Sequence, residues 1–216
     1  MKKIFFLFII SILLSNCCNF NAKLYNNRGV FTLPDYDKIK VTYDNSINFF
    51  GKDLTKHFPN FNSGDCYLFL TNNADTNSLF YIYLIMFYSD EQFEEIEHFA
   101  QNNSIQKYHF TDSCLMLTNY NANLKIFNKY NFKNCENLSS SMLPITNFEF
   151  CKNNPIITKK FFKKATIYLL GAERGKFLPD YKLTNKGVGL PDGWEHGYTR
   201  GMAIWCNTVV YWLEVW

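Results

Sequence analysis

The stretch Asp192-Gly193-Trp194-Glu195-His196-Gly197-Tyr198-Thr199-Arg200-Gly201 brings carboxylates, an imidazole, a guanidinium and two aromatic rings into ten residues. Glu195 beside His196 is an acid next to a base, and the aromatic rings could stack on a sugar or on an apolar group of a partner. Glycines punctuate the stretch, and loops held at the edge of a rigid scaffold often carry binding or catalysis. Trp194, Glu195, His196, Tyr198 and Arg200 are therefore the candidate binding residues, with Tyr198 and Arg200 expected at least partly exposed. The same residues also admit structural roles: the glycines a tight turn, Trp194 a cap on the core, Arg200 a partner for Glu195. A glycosidase would need a second carboxylate across a cleft. Sequence does not place one, so no catalytic residue is assigned.

Other chemistry is sparse. The histidines are His57, His98, His109 and His196, and no two stand at a zinc-ligand spacing. His57 precedes Phe58-Pro59 and reads as a helix end, where an imidazole can meet the last carbonyls. There is no GxSxG, HExxH, P-loop or GxGxxG. Gly187-Val188-Gly189 is too slight for a phosphate loop. Neither a metal nor a cofactor is expected. The cysteines show no CxxC spacing. Cys135 and Cys151, which flank one irregular stretch, are the most plausible disulfide pair.

The elements that must position these residues read as α+β. Ser89-Asp90-Glu91-Gln92 is a capping box, and it opens a helix from Asp90 to about Asn102. In that helix Phe93, Ile96 and Phe99-Ala100 recur at helical spacing. The preceding run, Leu79 to Tyr88 (LFYIYLIMFY), suits a strand buried on both faces and is too short to span a membrane. Strands are expected at Tyr67–Thr71, Ile105–Phe110, Cys114–Thr118 and Ala165–Gly171, with a short helix near Ile47–Lys56. Met202–Trp205 and Thr208–Val215 should form a C-terminal β-hairpin joined at Cys206-Asn207. In the second of these strands Val209, Tyr211, Leu213 and Val215 point one way and Val210, Trp212, Glu214 and Trp216 the other. Both sets are nearly apolar, which marks a central strand. The fold class is thus a mainly antiparallel sheet backed by one or two helices. Residues 119–154, rich in Asn and Ser, are either a long excursion or the seam between two subdomains.

The first twenty residues, MKKIFFLFIISILLSNCCNF, assign the compartment. Lys2 and Lys3 precede an apolar run, Ile4 to Leu14, with the proportions of an export signal; a bilayer span needs roughly 20 apolar residues. Leu14-Ser15-Asn16-Cys17 then resembles the lipobox of bacterial lipoproteins. That resemblance implies cleavage before Cys17, acylation of the Cys17 thiol and new amino group, and a location in the cell envelope facing the periplasm or the exterior. Two or three acyl chains, at about 0.8 kcal/mol per buried methylene, make such an anchor effectively permanent. The expected organisation is a signal peptide at 1–16, a lipidated tether at 17–30 and a single α+β domain at 31–216. Loss of the signal takes the net charge of +3 down by two, to +1. So neutral a chain lacks the footprint of nucleic-acid binding, and the lysines at 159, 160, 163 and 164 read as a solvated face.

The closing block, WEHGYTRGMAI followed by VVYWLEVW, is similar to the end of small exported bacterial proteins of uncharacterised function, a likeness that transfers no catalytic residue. Two functions fit these residues. One is a lipid-anchored extracytoplasmic binding or interaction protein with a protein or glycan partner; an immunity-type protein that blocks a toxin is one version. The other is a cell-envelope hydrolase acting on glycan or peptidoglycan through Glu195 and His196.

Overall fold

The computed structural model describes residues 36–61, 66–72, 79–112, 115–118, 142–148, 151, 157, 159–183 and 188–216. The lipobox, Cys17, the tether and much of 119–154 lie outside them. Residues Asp37–Trp216 form one compact unit. No helix among the described residues is long and apolar enough to cross a membrane.

The chain is α+β, built on one antiparallel sheet of six strands. The elements run α1 (Tyr36–Phe50), α2 (Lys52–Thr55), β1 (Cys66–Asn72), β2 (Phe80–Phe87), α3 (Asp90–Asn103), β3 (Gln106–His109), β4 (Met116–Leu117), β5 (Pro144–Ile145), α4 (Phe161–Lys164), β6 (Thr166–Arg174), β7 (Gly197–Trp205) and β8 (Thr208–Val215). Sheet order is β1-β2-β8-β7-β6-β3, and β4 and β5 pair separately in parallel. The last strand is therefore central. β2 runs antiparallel along one side of β8, from Phe80 opposite Val215 to Phe87 opposite Thr208, and β7 runs along the other.

Both faces of β8 are covered, as the apolar content of both residue sets demands. On one face Leu213 and Val215 join Phe80 and Ile82 of β2 and Phe50 of α1, with Ile47 and Leu54 packed against them. On the other, Val210 and Trp212 join Tyr83, Ile85, Ile167 and Leu169 beneath Leu115, Ile145, Phe148 and Phe161. The β4–β5 pair thus belongs to a cover over the second face, and so do Phe148 and Cys151. Cys151 carries a free, fully buried thiol, and Cys135, its expected partner, lies outside the described residues.

Local chemistry explains most element ends. Ser89 caps α3: its hydroxyl accepts the Gln92 N–H at 3.4 Å and its own N–H donates to Gln92 Oε1 at 3.2 Å. Phe99 is nevertheless 39 % exposed, so the apolar stripe of α3 buries Ala100 fully and only part of the rest. The helix read near Ile47–Lys56 begins far earlier, at Tyr36, and breaks at Gly51 (φ +80°) before the short α2. Its inward residues, Tyr43, Ser46 and Phe50, stand three and four apart.

Candidate functional site

Residues 191–196 form a tight, core-anchored turn. Gly193 sits at φ +89°, and the Trp194 N–H closes onto the Pro191 carbonyl at 3.1 Å. The Trp194 ring is buried beside Trp216, with centroids 6.2 Å apart, while its carbonyl accepts the Trp216 indole N–H at 2.9 Å. The Arg174 guanidinium lies 5.0 Å from the Trp194 ring centroid, within cation–π range. Directly after the turn, Gly197 and Trp216 exchange backbone bonds of 3.1 and 3.0 Å. Trp194 is thus a cap on the core.

Glu195 stays outside. One carboxylate oxygen accepts the Gly193 N–H at 2.8 Å. That bond, the Glu195 N–H and the charges of His196 and Arg174 hold its pKa below the ordinary carboxylate range. His196 is half-buried, and its Nδ1 has no hydrogen-bond partner.

Tyr198 and Arg200 correct the sequence-based expectation. β7 starts at Gly197, five residues before the expected strand, so both belong to the sheet and not to a loop; they are 9 % and 8 % exposed. Strand alternation turns them toward the helical face, where Tyr198 meets the Phe177 ring edge-on at 4.6 Å. The Arg200 guanidinium donates to the Asp53 carbonyl in α2. It ties β7 to one carbonyl of that four-residue helix, and Glu195 is not its partner. Of the five candidates, the structure leaves Glu195 exposed and His196 half-buried, with Trp194, Tyr198 and Arg200 drawn into the core.

Two buried titratable groups on β8 and its helical cover were not among the candidates. Glu214 is 0 % exposed, in the middle of the sheet. Tyr83 donates to its Oε1 at 2.5 Å and Thr118 to its Oε2 at 2.5 Å; the Thr146 hydroxyl bonds it as well. Burial pushes its pKa up, against the pull of those three hydroxyls. Beside it, Thr199 donates to the Pro144 carbonyl at 2.6 Å. His57 packs under the opposite face, where its Nε2–H reaches the Trp212 carbonyl at 2.9 Å. Burial lowers its pKa to about 3, outweighing the Trp212 and Leu54 carbonyls that favour the charged ring. The neutral imidazole is therefore the folded form. A signal for Glu214 was present in the sequence, since an acid in VVYWLEVW interrupts an otherwise apolar central strand.

These groups divide the available chemistry. Glu195 is prepared to stay ionised, which suits an acceptor or an electrostatic contact and opposes the raised pKa that a general acid needs. Glu214 has the raised pKa but is sealed from solvent. A groove of about 400 Å³ opens between α1 and residues 55–61, lined by Lys40, Asp44, Ile47, Phe58 and Pro59 among others. Its size is that of a small-ligand site, but Lys40 and Asp44 satisfy each other at 2.7 Å and none of the five candidates lines it. Among the described residues, no group of three or more His, Cys, Asp or Glu side chains is placed to hold a metal ion. Comparison of the chain with protein families, with curated proteins and with solved structures found no match.

Proposed function

We infer that the chain is a binding protein of the cell envelope, held to the membrane through acylated Cys17 and presenting the 191–196 turn to a protein partner. Anchoring rests on the lipobox-like Leu14-Ser15-Asn16-Cys17 after an export-type signal. The observation that carries the binding reading is the rigidity with which an acidic turn is offered to solvent. Asp192 and Glu195 are exposed, while Trp194 beneath them is locked to Trp216 and Glu195 is fastened to the Gly193 N–H. A pre-ordered contact loses little conformational entropy on association, and two carboxylates on a fixed turn complement a basic patch. A toxin-blocking, immunity-type role is one form of this reading.

The hydrolase alternative draws less support. It needs a proton-donating acid facing the substrate, and Glu195 is biased toward the ionised state. Its stacking aromatics, Trp194 and Tyr198, are turned inward.

Two measurements test the reading. Cys17→Ser should release the protein from the membrane fraction or leave an uncut precursor; a variant that still carries labelled fatty acid and sediments with membranes refutes the anchor. Asp192→Lys/Glu195→Lys should abolish capture of a saturable envelope protein while leaving the melting temperature within a few degrees. Undiminished capture by that variant would remove the turn from the interface.

A further inference from the structure

The cover over the second face is joined to the sheet at a carboxyl. β4 and β5 are two residues long each and pair through few bonds, among them the Thr118 N–H to the Ile145 carbonyl at 3.0 Å. Thr118 follows β4 and Thr146 follows β5, and both hydroxyls bond Glu214 of β8, as does Tyr83 of β2. From β7, Thr199 grips the Pro144 carbonyl. The Glu214 side chain thus ties both segments of the cover to β8 and β2.

A hydroxyl can donate to a carboxylate or accept from a carboxylic acid, so each of these groups can bond the neutral carboxyl that burial favours. The groups that face Glu214 are Tyr83 and, opposite it in register, Tyr81 from β2; Thr199 from β7; and Thr118 and Thr146 from the cover. Among the described residues no Lys, Arg or His is one of them, and ionisation would leave a desolvated charge without a counter-charge, a costly state. The cover also holds strain. Phe148, fully buried against Trp212 with ring centroids 5.3 Å apart, has φ +54°, a backbone that packing must enforce.

We propose that Glu214 and its hydroxyl cage form a proton-operated latch, which fastens the β4–β5 cover to the sheet while the carboxyl is neutral and loosens it as the carboxyl ionises. The idea is independent of the partner-binding reading. The sign follows from linkage. With the cover closed the pKa lies above the ordinary 4.5; with it open the carboxyl meets water and returns toward that value. Opening releases a proton, so between the two values it grows about tenfold more favourable per pH unit.

Amide hydrogen exchange on the full chain, corrected for the intrinsic pH dependence of exchange, reads this directly at Thr118. Its protection should fall about tenfold per pH unit above roughly 4.5 and level off at the midpoint of the Glu214 carboxyl ¹³C titration. The Tyr88 amide, bonded to the Asn207 carbonyl at 2.9 Å beside the far hairpin, should not follow. Glu214→Gln should hold Thr118 protection flat across the same range. A flat profile in the native chain, an unchanged slope in Glu214→Gln, or loss of Tyr88 protection in step with Thr118 overturns the latch. Should Glu214→Gln not fold, the native chain decides alone. Coincidence of the carboxyl midpoint with the end of the Thr118 slope supports the latch; a midpoint in the ordinary carboxylate range refutes it.

Discussion

Gly201→Ala is the smallest change that tests the packing of the central strands. Gly201 of β7 stands directly opposite Trp212 of β8, and the indole lies across it. A Cβ built there meets Trp212 Cη2 at 2.3 Å, Cζ2 at 2.4 Å and the Tyr168 carbonyl oxygen at 2.4 Å. Trp212 is 0 % exposed and meets Phe148 edge-on, so the ring has no free direction in which to withdraw. The carbonyl belongs to the backbone of β6. Overpacking a core by a methyl group typically costs about 1–3 kcal/mol, and a two-sided clash belongs at the upper end, about 3 kcal/mol. For a domain of this size that lowers Tm by roughly 6–12 °C. Urea unfolding followed by far-ultraviolet circular dichroism should show a lower midpoint with an unchanged slope. In a Trp212→Ala background the ring clash vanishes while the carbonyl clash remains, so the same methyl should cost about 1 kcal/mol less, within the usual range for touching residues. A Gly201→Ala protein as stable as the native one, or strict additivity with Trp212→Ala, would refute this packing.

Replacing Tyr198 and Arg200 together with Ala should destabilise on the scale of Trp212→Ala, about 3–5 kcal/mol, because both are held in the sheet; a double variant that melts with the native protein would return them to the surface. His57 stays neutral in the folded chain with a pKa of about 3 against an ordinary 6.5. Stability should therefore be lost as pH falls from 6.5 toward 3, on the order of 4 kcal/mol, and His57→Gln should flatten that limb of a melting-temperature profile. Ser89→Ala removes the α3 cap and should cost roughly 0.5–2 kcal/mol, read as a lower urea midpoint; an unchanged midpoint would mean that the cap contributes nothing.

Patterns that reported packing were legible. The apolar run of β2, and that of β8 broken within its length by Glu214 alone, stated that both faces are covered, and the Ser89/Gln92 pair marked where α3 starts. The first half of β7 was misleading because its glycines and polar residues imitate a loop. In the folded chain those glycines mark close approach: a Cβ at Gly197 would sit 2.6 Å from the Glu173 carbonyl oxygen. The polar residues beside them are consumed by β7 contacts that span 55 and 147 positions, from Thr199 to Pro144 and from Arg200 to Asp53. Most of α1 was hidden by Val41, Thr42 and a run of polar residues of low helix propensity, although Tyr43 and Phe50 kept its inward spacing. The Glu214 cage joins residues 83, 118, 146 and 214, and no local pattern announces such a gathering.

The position of β8 sets the timing of folding. β1 and β2 lie on one side of it and β7, β6 and β3 on the other, and β8 alone bonds the two groups into one sheet. It is also the last of the described strands to be synthesised. A nascent chain holding every earlier strand therefore carries two partial sheets with unpaired inner edges, and the contacts that join them, Phe80 with Val215 among them, link residues far apart in sequence. Closing such contacts is slow, and unpaired edges invite association with other chains while the wait lasts. The six-stranded sheet should therefore stay incomplete until residues 208–215 have been made. Removal of residues 208–216 should accordingly leave no stable remnant of that sheet, read as loss of a cooperative unfolding transition.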